Sequence, residues 1–389
     1  MSVSIEYEGT SLNRGNGIGV PRLIFAEVNL NLRKGKSMSE ITRVGVDLAK
    51  RLIQVHGVEA TERVMVARGM SREKFAAWCA QLPAGCIVAM EACSGAHHWA
   101  RRLLALGLQP RLIAPHFVTP YRMEGKGGKN DATDAAAICE AASRPKMRFV
   151  PVKSCAQQGV LCVHRLRESY KEERTACISR IRGLLSEFGL VFPRGPNALR
   201  QVLSSTLEDA SNDLPGVARM ALDRAFMHWR ELDAHIAWCD ERIAQHVKED
   251  SQAQQAVRIM GIGPTGASAV VASVGDFRQF RSAGQFAAWL GIVPRQNSSG
   301  GKTSLGSITK RGDDYLRTLL VQGARSAVAT APKRSDSVAR WIVQLQQRIG
   351  WQKTLVAVAN KNARILWAVL ARGRSYDPDY LRLKPQVQA

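Results

Sequence analysis

The sequence predicts an α/β protein: a mixed sheet with helices packed on it, then a long helical arm, then a mainly α-helical domain. Three observations predict it. Short apolar runs alternate with helical patterns between residues 41 and 142. Two stretches of three- and four-residue apolar spacing fill the middle of the chain, and a Gly-x-Gly turn joins two helical patterns near residue 261.

Residues 1–38 have scattered polarity, no period and a basic run, Arg33-Lys34-Gly35-Lys36. They read as a disordered extension, or as sequence ahead of the native start, because Met38-Ser39-Glu40 leads straight into a strand. Residues 39–158 form the α/β domain. Strands are expected over 41–46, with a hairpin partner at 52–58, and over 86–90 and 111–114. Ser94-Gly95 opens a helix to residue 106, and the Ala-rich segment 129–142 reads as another.

Residues 159–250 read as a helical arm. Val163, Leu166, Tyr170, Cys177, Ile181, Leu184 and Phe188 fall at helical steps, interrupted at Arg174. Leu222, Phe226, Trp229, Leu232, Ile236, Cys239, Ile243 and Val247 repeat the spacing, and Pro193, Pro196 and Pro215 separate the two runs. An antiparallel pair or coiled coil joining two domains, dimerising the chain, or both, fits this pattern. The last domain spans 251–376 and ends in a tail, 377–389. Its turn, Gly261-Ile262-Gly263-Pro264, is helix-hairpin-helix-like and exposes backbone N–H groups that suit a phosphate. A final amphipathic helix over 355–370 is expected to present Lys361 and Arg364.

Charge narrows the function. Of 389 residues, Lys and Arg exceed Asp and Glu by 22. Residues 277–374 hold seventeen basic side chains against Asp313, Asp314 and Asp336, and so carry fourteen of those charges. A block of this kind binds phosphate backbones and releases their counterions. No apolar run reaches the roughly 18 residues that a membrane helix needs, and no signal-peptide pattern opens the chain. The eight cysteines form no Cys-x-x-Cys pair, which suits reduced, mostly buried thiols in a cytoplasm. His97 and His98 follow Cys93 without a second ligand pair, so capping or surface roles suit them better than zinc. Trp289, Trp341, Trp351 and Trp367 alternate with basic residues and could stack on bases, although their helical spacing favours core packing.

Four acids stand where chemistry would want them. Asp47 ends the first strand in Val44-Gly45-Val46-Asp47, and Glu91 ends another in Val88-Ala89-Met90-Glu91. Asp131 and Asp134 lie three apart on one helix face. An acid at the end of an apolar strand is costly unless paired or metal-bound. Two such acids with a helical pair can converge on two Mg²⁺ (or Mn²⁺) ions, which bridge phosphate oxygens in phosphoryl transfer. Singly, each acid reads as a turn residue or a solvated face; jointly, the metal reading leads.

These residues carry a resemblance. Asp47, Glu91, Asp131 and Asp134, within Gly-Val-Asp, Met-Glu-Ala-Cys and Lys-Asn-Asp-Ala-Thr-Asp-Ala, resemble the DEDD transposases of insertion sequence 110. Ala142-Ser143-Arg144-Pro145, Trp289-Leu290-Gly291-Ile292-Val293-Pro294-Arg295 and Ser298-Ser299-Gly300-Gly301-Lys302 are closest to the branch typified by insertion sequence 1111. The resemblance runs from about Met38 to Tyr376. It implies a RuvC-like member of the RNase H fold at the N-terminus, a coiled coil, and a C-terminal transposase domain. It further implies excision and insertion of an element by strand exchange on double-stranded DNA, directed by a structured noncoding RNA that the element encodes.

The resemblance places a nucleophile on the serine directly before the glycines, Ser299, with Ser298 as the alternative of the doublet. From the residues alone this is a Gly-Ser loop on which a large substrate could approach closely. Serine needs a base, a metal or nearby cations to act as a nucleophile, and Arg295, Lys302, Lys310 and Arg311 could clamp the attacked phosphate. A homodimer with a composite site between protomers follows as an expectation. Two rival readings remain open: a RuvC-like nuclease that uses water, and a non-catalytic nucleic-acid-binding protein.

Overall fold

The computed structural model describes residues 38–122, 131–297 and 304–377. Its N-terminal part is built on strands β1 (Arg43–Leu48), β2 (Leu52–Val58), β3 (Val64–Ser71), β4 (Ile87–Glu91), β5 (Gln109–Ile113) and β6 (Phe149–Val150). Helices α1 (Arg72–Cys79), α2 (Ala96–Ala105), α3 (Pro115–Val118) and α4 (Asp131–Ser143) connect and cover them. The sheet order is β3-β2-β1-β4-β5-β6. β1 runs antiparallel to β2 and parallel to β4, β5 is parallel to β4, and β6 is antiparallel to β5.

Strand alternation decides what packs where. Val44, Val46, Val88 and Met90 share one core with Phe75 and Trp78 of α1 and Trp99 and Leu103 of α2. Ala89 and Ile113 meet Ala137, Ile138 and Ala141 of α4 in another. Both faces are covered, so the central strands read as continuous apolar runs. Gly45 lies directly beneath α4, where a Cβ would stand 2.5 Å from the Cys139 backbone nitrogen and closer still to the Ala135 carbonyl oxygen.

The middle comprises α5 (Cys155–Ser186), α6 (Pro196–Glu208) and α7 (Gly216–Glu249). Ser154 and Gln157 form a reciprocal capping box that starts α5. Cys177, Ile181 and Leu185 pack on Leu222, Phe226 and Trp229. Arg167 pairs with Asp240 at 2.6 Å and Arg174 with Asp233 at 3.1 Å, so the two long helices run antiparallel. Arg174 therefore does not interrupt α5. Its guanidinium crosses to α7 while the helix continues.

The C-terminal part contains α8 (Ser251–Val257), α9 (Pro264–Val274), α10 (Ala283–Trp289), α11 (Asp314–Thr330), α12 (Ser337–Ile349) and α13 (Trp351–Arg372). They surround one core that includes Phe286, Leu320 and Leu366. The Gly-x-Gly turn joins α8 to α9 with Gly261 at φ +84°, and Gly323 of α11 packs against its backbone, leaving no room for a Cβ at either glycine. A short antiparallel hairpin, β7 (Pro294–Gln296) with β8 (Leu305–Ile308), interrupts the helices and was not expected from the sequence. Among the described residues no helix is long and apolar enough to cross a membrane.

Candidate active site and nucleic-acid interface

The parallel pairing of β1 with β4 sets the acids. Val46 faces Met90 across the pair, so Asp47 and Glu91 are the next residues on neighbouring strands, pointing to the same end of the sheet register. Asp134 arrives from the first turn of α4, which Gly45 admits against β1. Arg122 ties two of these groups together: Nη2 donates to Glu91 Oε1 at 2.9 Å and Nε to Asp134 Oδ1 at 2.8 Å. Glu91 and Asp134 are mostly covered, with side-chain exposures of 16% and 14%.

Electrostatics report the same proximity. Burial raises the Glu91 carboxyl above the usual carboxylate range; Arg122 opposes the rise, and the charges of Asp134 and Asp47 add to it. The Cys93 thiol is raised by burial and then by Glu91 and Asp47. Asp47, Glu91 and Asp134 thus share one neighbourhood. Asp131 opens α4, and its side chain lies outside the described residues. Among the described residues no three His, Cys, Asp or Glu side chains are arranged to hold a metal ion. The guanidinium of Arg122 sits between two of the acids instead. Sequence reasoning missed Arg122, which has no periodic or motif signal.

Ser298, Ser299 and Lys302 lie outside the described residues. Their flanks are well fastened. The Asn297 N–H donates to the Ser304 carbonyl at 2.9 Å, and the Thr309 N–H to the Val293 carbonyl at 2.9 Å. Arg317, almost fully buried, donates to the carbonyls of Leu290 and Gly312, one from each side of the hairpin, and pairs with Asp314. Arg295, Lys310 and Arg311 are exposed around this hairpin and form no ion pair with a described residue. Lys310 has φ +54°, a left-handed conformation that a non-glycine residue adopts only when its surroundings hold it there. The Gly-x-Gly turn borders a cleft of about 700 Å³ that Arg258, Thr265, Ser326 and Arg334 also line.

A buried polar junction fastens the helical pair to the C-terminal part. His164 of α5 is hydrogen-bonded to Tyr315 Oη at 2.9 Å through Nδ1 and to Ser268 Oγ at 2.8 Å through Nε2; His246 Nδ1 reaches the same Ser268 oxygen at 2.9 Å. Burial, then the charges of Arg167 and His246, push the His164 imidazole down to about 4. Because this lies below the unfolded value, the unfolded chain takes up the proton first as pH falls. The contribution is complete above about pH 6.5 and is lost between there and about pH 4, up to roughly 3 kcal/mol. We therefore expect His164→Gln to melt below wild type at pH 7.5 but to lose less stability between pH 6.5 and 4.5. Parallel melting-temperature curves for the two proteins across that range would contradict the assignment.

Other sequence readings need correction. Lys361 is half-buried, with its Nζ 4.0 Å from the centre of the Trp341 ring, whereas Arg364 is exposed. His97 is half-buried and accepts the Lys153 backbone N–H at 3.2 Å, whereas His98 is exposed on the helix surface as expected. Trp367 is buried and donates to the Phe280 carbonyl, but Trp289 is 39% exposed. Cys79, Cys86, Cys139, Cys177 and Cys239 are buried free thiols, while Cys93, Cys155 and Cys162 are exposed.

Comparison with known proteins gives the class. The profile for the DEDD domain of IS110-type elements, described as "Transposase", matches residues 44–190, and "Transposase IS116/IS110/IS902 family" matches residues 253–339. A "Probable family 20 transposase" of Pseudomonas aeruginosa is 49% identical over 339 residues, 87% of this chain and 99% of the relative. The "Transposase for insertion sequence element IS1111A" of Coxiella burnetii is 38% identical over 349 residues, 90% of this chain and 95% of the relative. That for IS1328 of Yersinia enterocolitica is 37% identical over 336 residues, 86% and 98% respectively. The chain is a transposase, a DNA-processing enzyme. It belongs to the IS116/IS110/IS902 transposase family.

Proposed function

We propose that this transposase recombines DNA through a divalent-metal carboxylate site and a serine nucleophile carried by different parts of the chain. The observation that carries the reading is the in-register placement of Asp47 and Glu91 on adjacent parallel strands, with Asp134 brought to Glu91 through Arg122. The strand order, three antiparallel strands followed by parallel β4 and β5, supports an RNase H-like, RuvC-like fold for residues 39–158. Residues 159–250 serve as the coiled-coil arm and 251–376 as the transposase domain.

The donor set suits a hard cation, since it consists of carboxylate oxygens on rigid elements that already attract a guanidinium. Asp47, Glu91, Asp131 and Asp134 would hold Mg²⁺ or Mn²⁺. When bound, the metal supplies Lewis-acid polarisation of a phosphate oxygen. Arg295, Lys302, Lys310 and Arg311 grip the DNA backbone, and the Gly-x-Gly turn offers a separate phosphate contact.

Ser299, or Ser298 in its place, attacks the phosphorus. Its Oγ–P bond forms as the P–O bond to one deoxyribose breaks, and the serine proton ends on the departing hydroxyl. A hydroxyl from a partner strand then attacks the phosphoserine and releases the serine. The number of phosphoester bonds is unchanged, so strand exchange needs no outside energy. A homodimer whose arms bring one protomer's acids to the other's serine, directed by an element-encoded guide RNA, completes the proposal.

Trapping on nicked element-end DNA tests it. Wild type should form a covalent protein–DNA adduct, and Ser299→Ala should lose it by about 10³-fold or more, as expected when a nucleophile is removed. An adduct retained in Ser299→Ala but lost in Ser298→Ala reassigns the nucleophile; retention in both variants removes serine chemistry from the reading.

A further inference from the structure

We infer that Arg122 is a tethered cation that competes with the divalent metal for the acid cluster, so that metal binding requires this guanidinium to leave. The inference rests on the proposed metal reading and adds a control to it. Arg122 uses two separate nitrogens on two separate carboxylates, at 2.8 and 2.9 Å, and so spans Asp134 and Glu91 as a bridging cation does. It makes no other ion pair with a described residue.

Its backbone allows the exchange. Arg122 is the residue just past a short 3₁₀ turn, Thr119–Tyr121, where its N–H donates to the Thr119 carbonyl at 3.2 Å and its own backbone is extended. The side chain is 35% exposed, against 16% and 14% for the acids that it joins. The guanidinium therefore enters from the solvent side, and rotation of one long side chain withdraws it without moving the sheet or α4. A divalent ion held by Glu91 and Asp134 would draw on the carboxylate oxygens that the guanidinium already engages, and the two cations would repel each other at that range. Either cation relieves the repulsion among Asp47, Glu91 and Asp134. The metal, when bound, would add Lewis-acid polarisation of a phosphate oxygen.

Mn²⁺ titration of the full chain, followed calorimetrically and by thermal melting with and without chelator, tests the inference on wild type, Arg122→Gln, Arg122→Lys and Asp47→Asn. Arg122→Gln should melt below wild type in chelator, bind Mn²⁺ about tenfold more tightly and gain more melting temperature from it. Arg122→Lys, which keeps the charge, should bind Mn²⁺ more weakly than Arg122→Gln. Equal or weaker Mn²⁺ binding by Arg122→Gln, with wild-type binding abolished in Asp47→Asn, overturns the competition and leaves the metal site standing. No Mn²⁺ binding by any of the proteins overturns both.

Discussion

Asp47→Asn is expected to give a folded, DNA-binding protein whose strand cleavage falls about 10³-fold or more, the size expected when several kcal/mol of metal-assisted stabilisation is lost. The side chain keeps its shape and loses its charge, so the change isolates electrostatics from packing. Glu91→Gln should have a similar effect, and the double variant should be little worse than either, because residues that act as one unit are not additive. Single-turnover cleavage of labelled element-end DNA measures this. Cleavage by Asp47→Asn within a few-fold of wild type would remove the acid cluster from the chemistry.

The same variant carries a stability signature of opposite sign. The folded Glu91 carboxyl titrates above its ordinary value, through burial and then the charges of Asp134 and Asp47 against Arg122. A carboxyl raised in this way gives full stability below its unfolded pKa and loses it as pH rises through the folded one. At neutral pH the cluster therefore costs stability without metal. Neutralising Asp47 removes one of the repulsive charges, so Asp47→Asn should melt no lower than wild type in chelator. Catalytic loss without stability loss separates a functional acid from a structural one.

What the sequence made legible follows local pattern. β2 has the bounds expected for the hairpin partner, and β1, β4 and β5 differ from expectation by one or two residues at their ends, because each is a short apolar run between turn residues. β3 escaped because it is an edge strand whose Ala67, Arg68 and Gly69 are exposed in succession, so it has no apolar alternation to read. α6 escaped because Pro196 reads as a break, although proline at the first helical position favours a helix start. The two strands of the β7–β8 hairpin are exposed except at Ile308, so they carry no buried alternation, and the segment reads as a Gly-Ser loop.

At the site the division is similar. Asp47, Glu91 and Asp134, which the fold brings near one another, could be picked out because strand ends and helical spacing are local signals. Arg122 was not, because its partners lie 31 residues before it and 12 after, and only the tertiary fold brings them together. His164, Ser268, His246 and Tyr315 meet for the same reason, from four helices. A polar residue on an otherwise apolar helix face carries no mark that names its partner.

The strongest structural prediction concerns the absence of a side chain. Gly45 is the point at which α4 touches β1, and a Cβ there would meet the Ala135 carbonyl oxygen, the Cys139 nitrogen at 2.5 Å and the Cys139 Cβ at 2.7 Å. Two of these are backbone atoms of a helix and cannot rotate away, so α4 itself must shift. Gly45→Ala should therefore destabilise the fold by about 3 kcal/mol, the upper end of overpacking costs. It should also impair cleavage beyond that loss, since α4 carries Asp131 and Asp134 toward the strand ends. The same substitution at Gly183, exposed in α5 with open space around it, should instead stabilise by about 0.5 to 1 kcal/mol through helix propensity. Urea melts of the two variants should thus move in opposite directions. A Gly45→Ala protein as stable as wild type would mean that α4 does not lie on β1 as described, and Asp134 would lose its place beside Glu91.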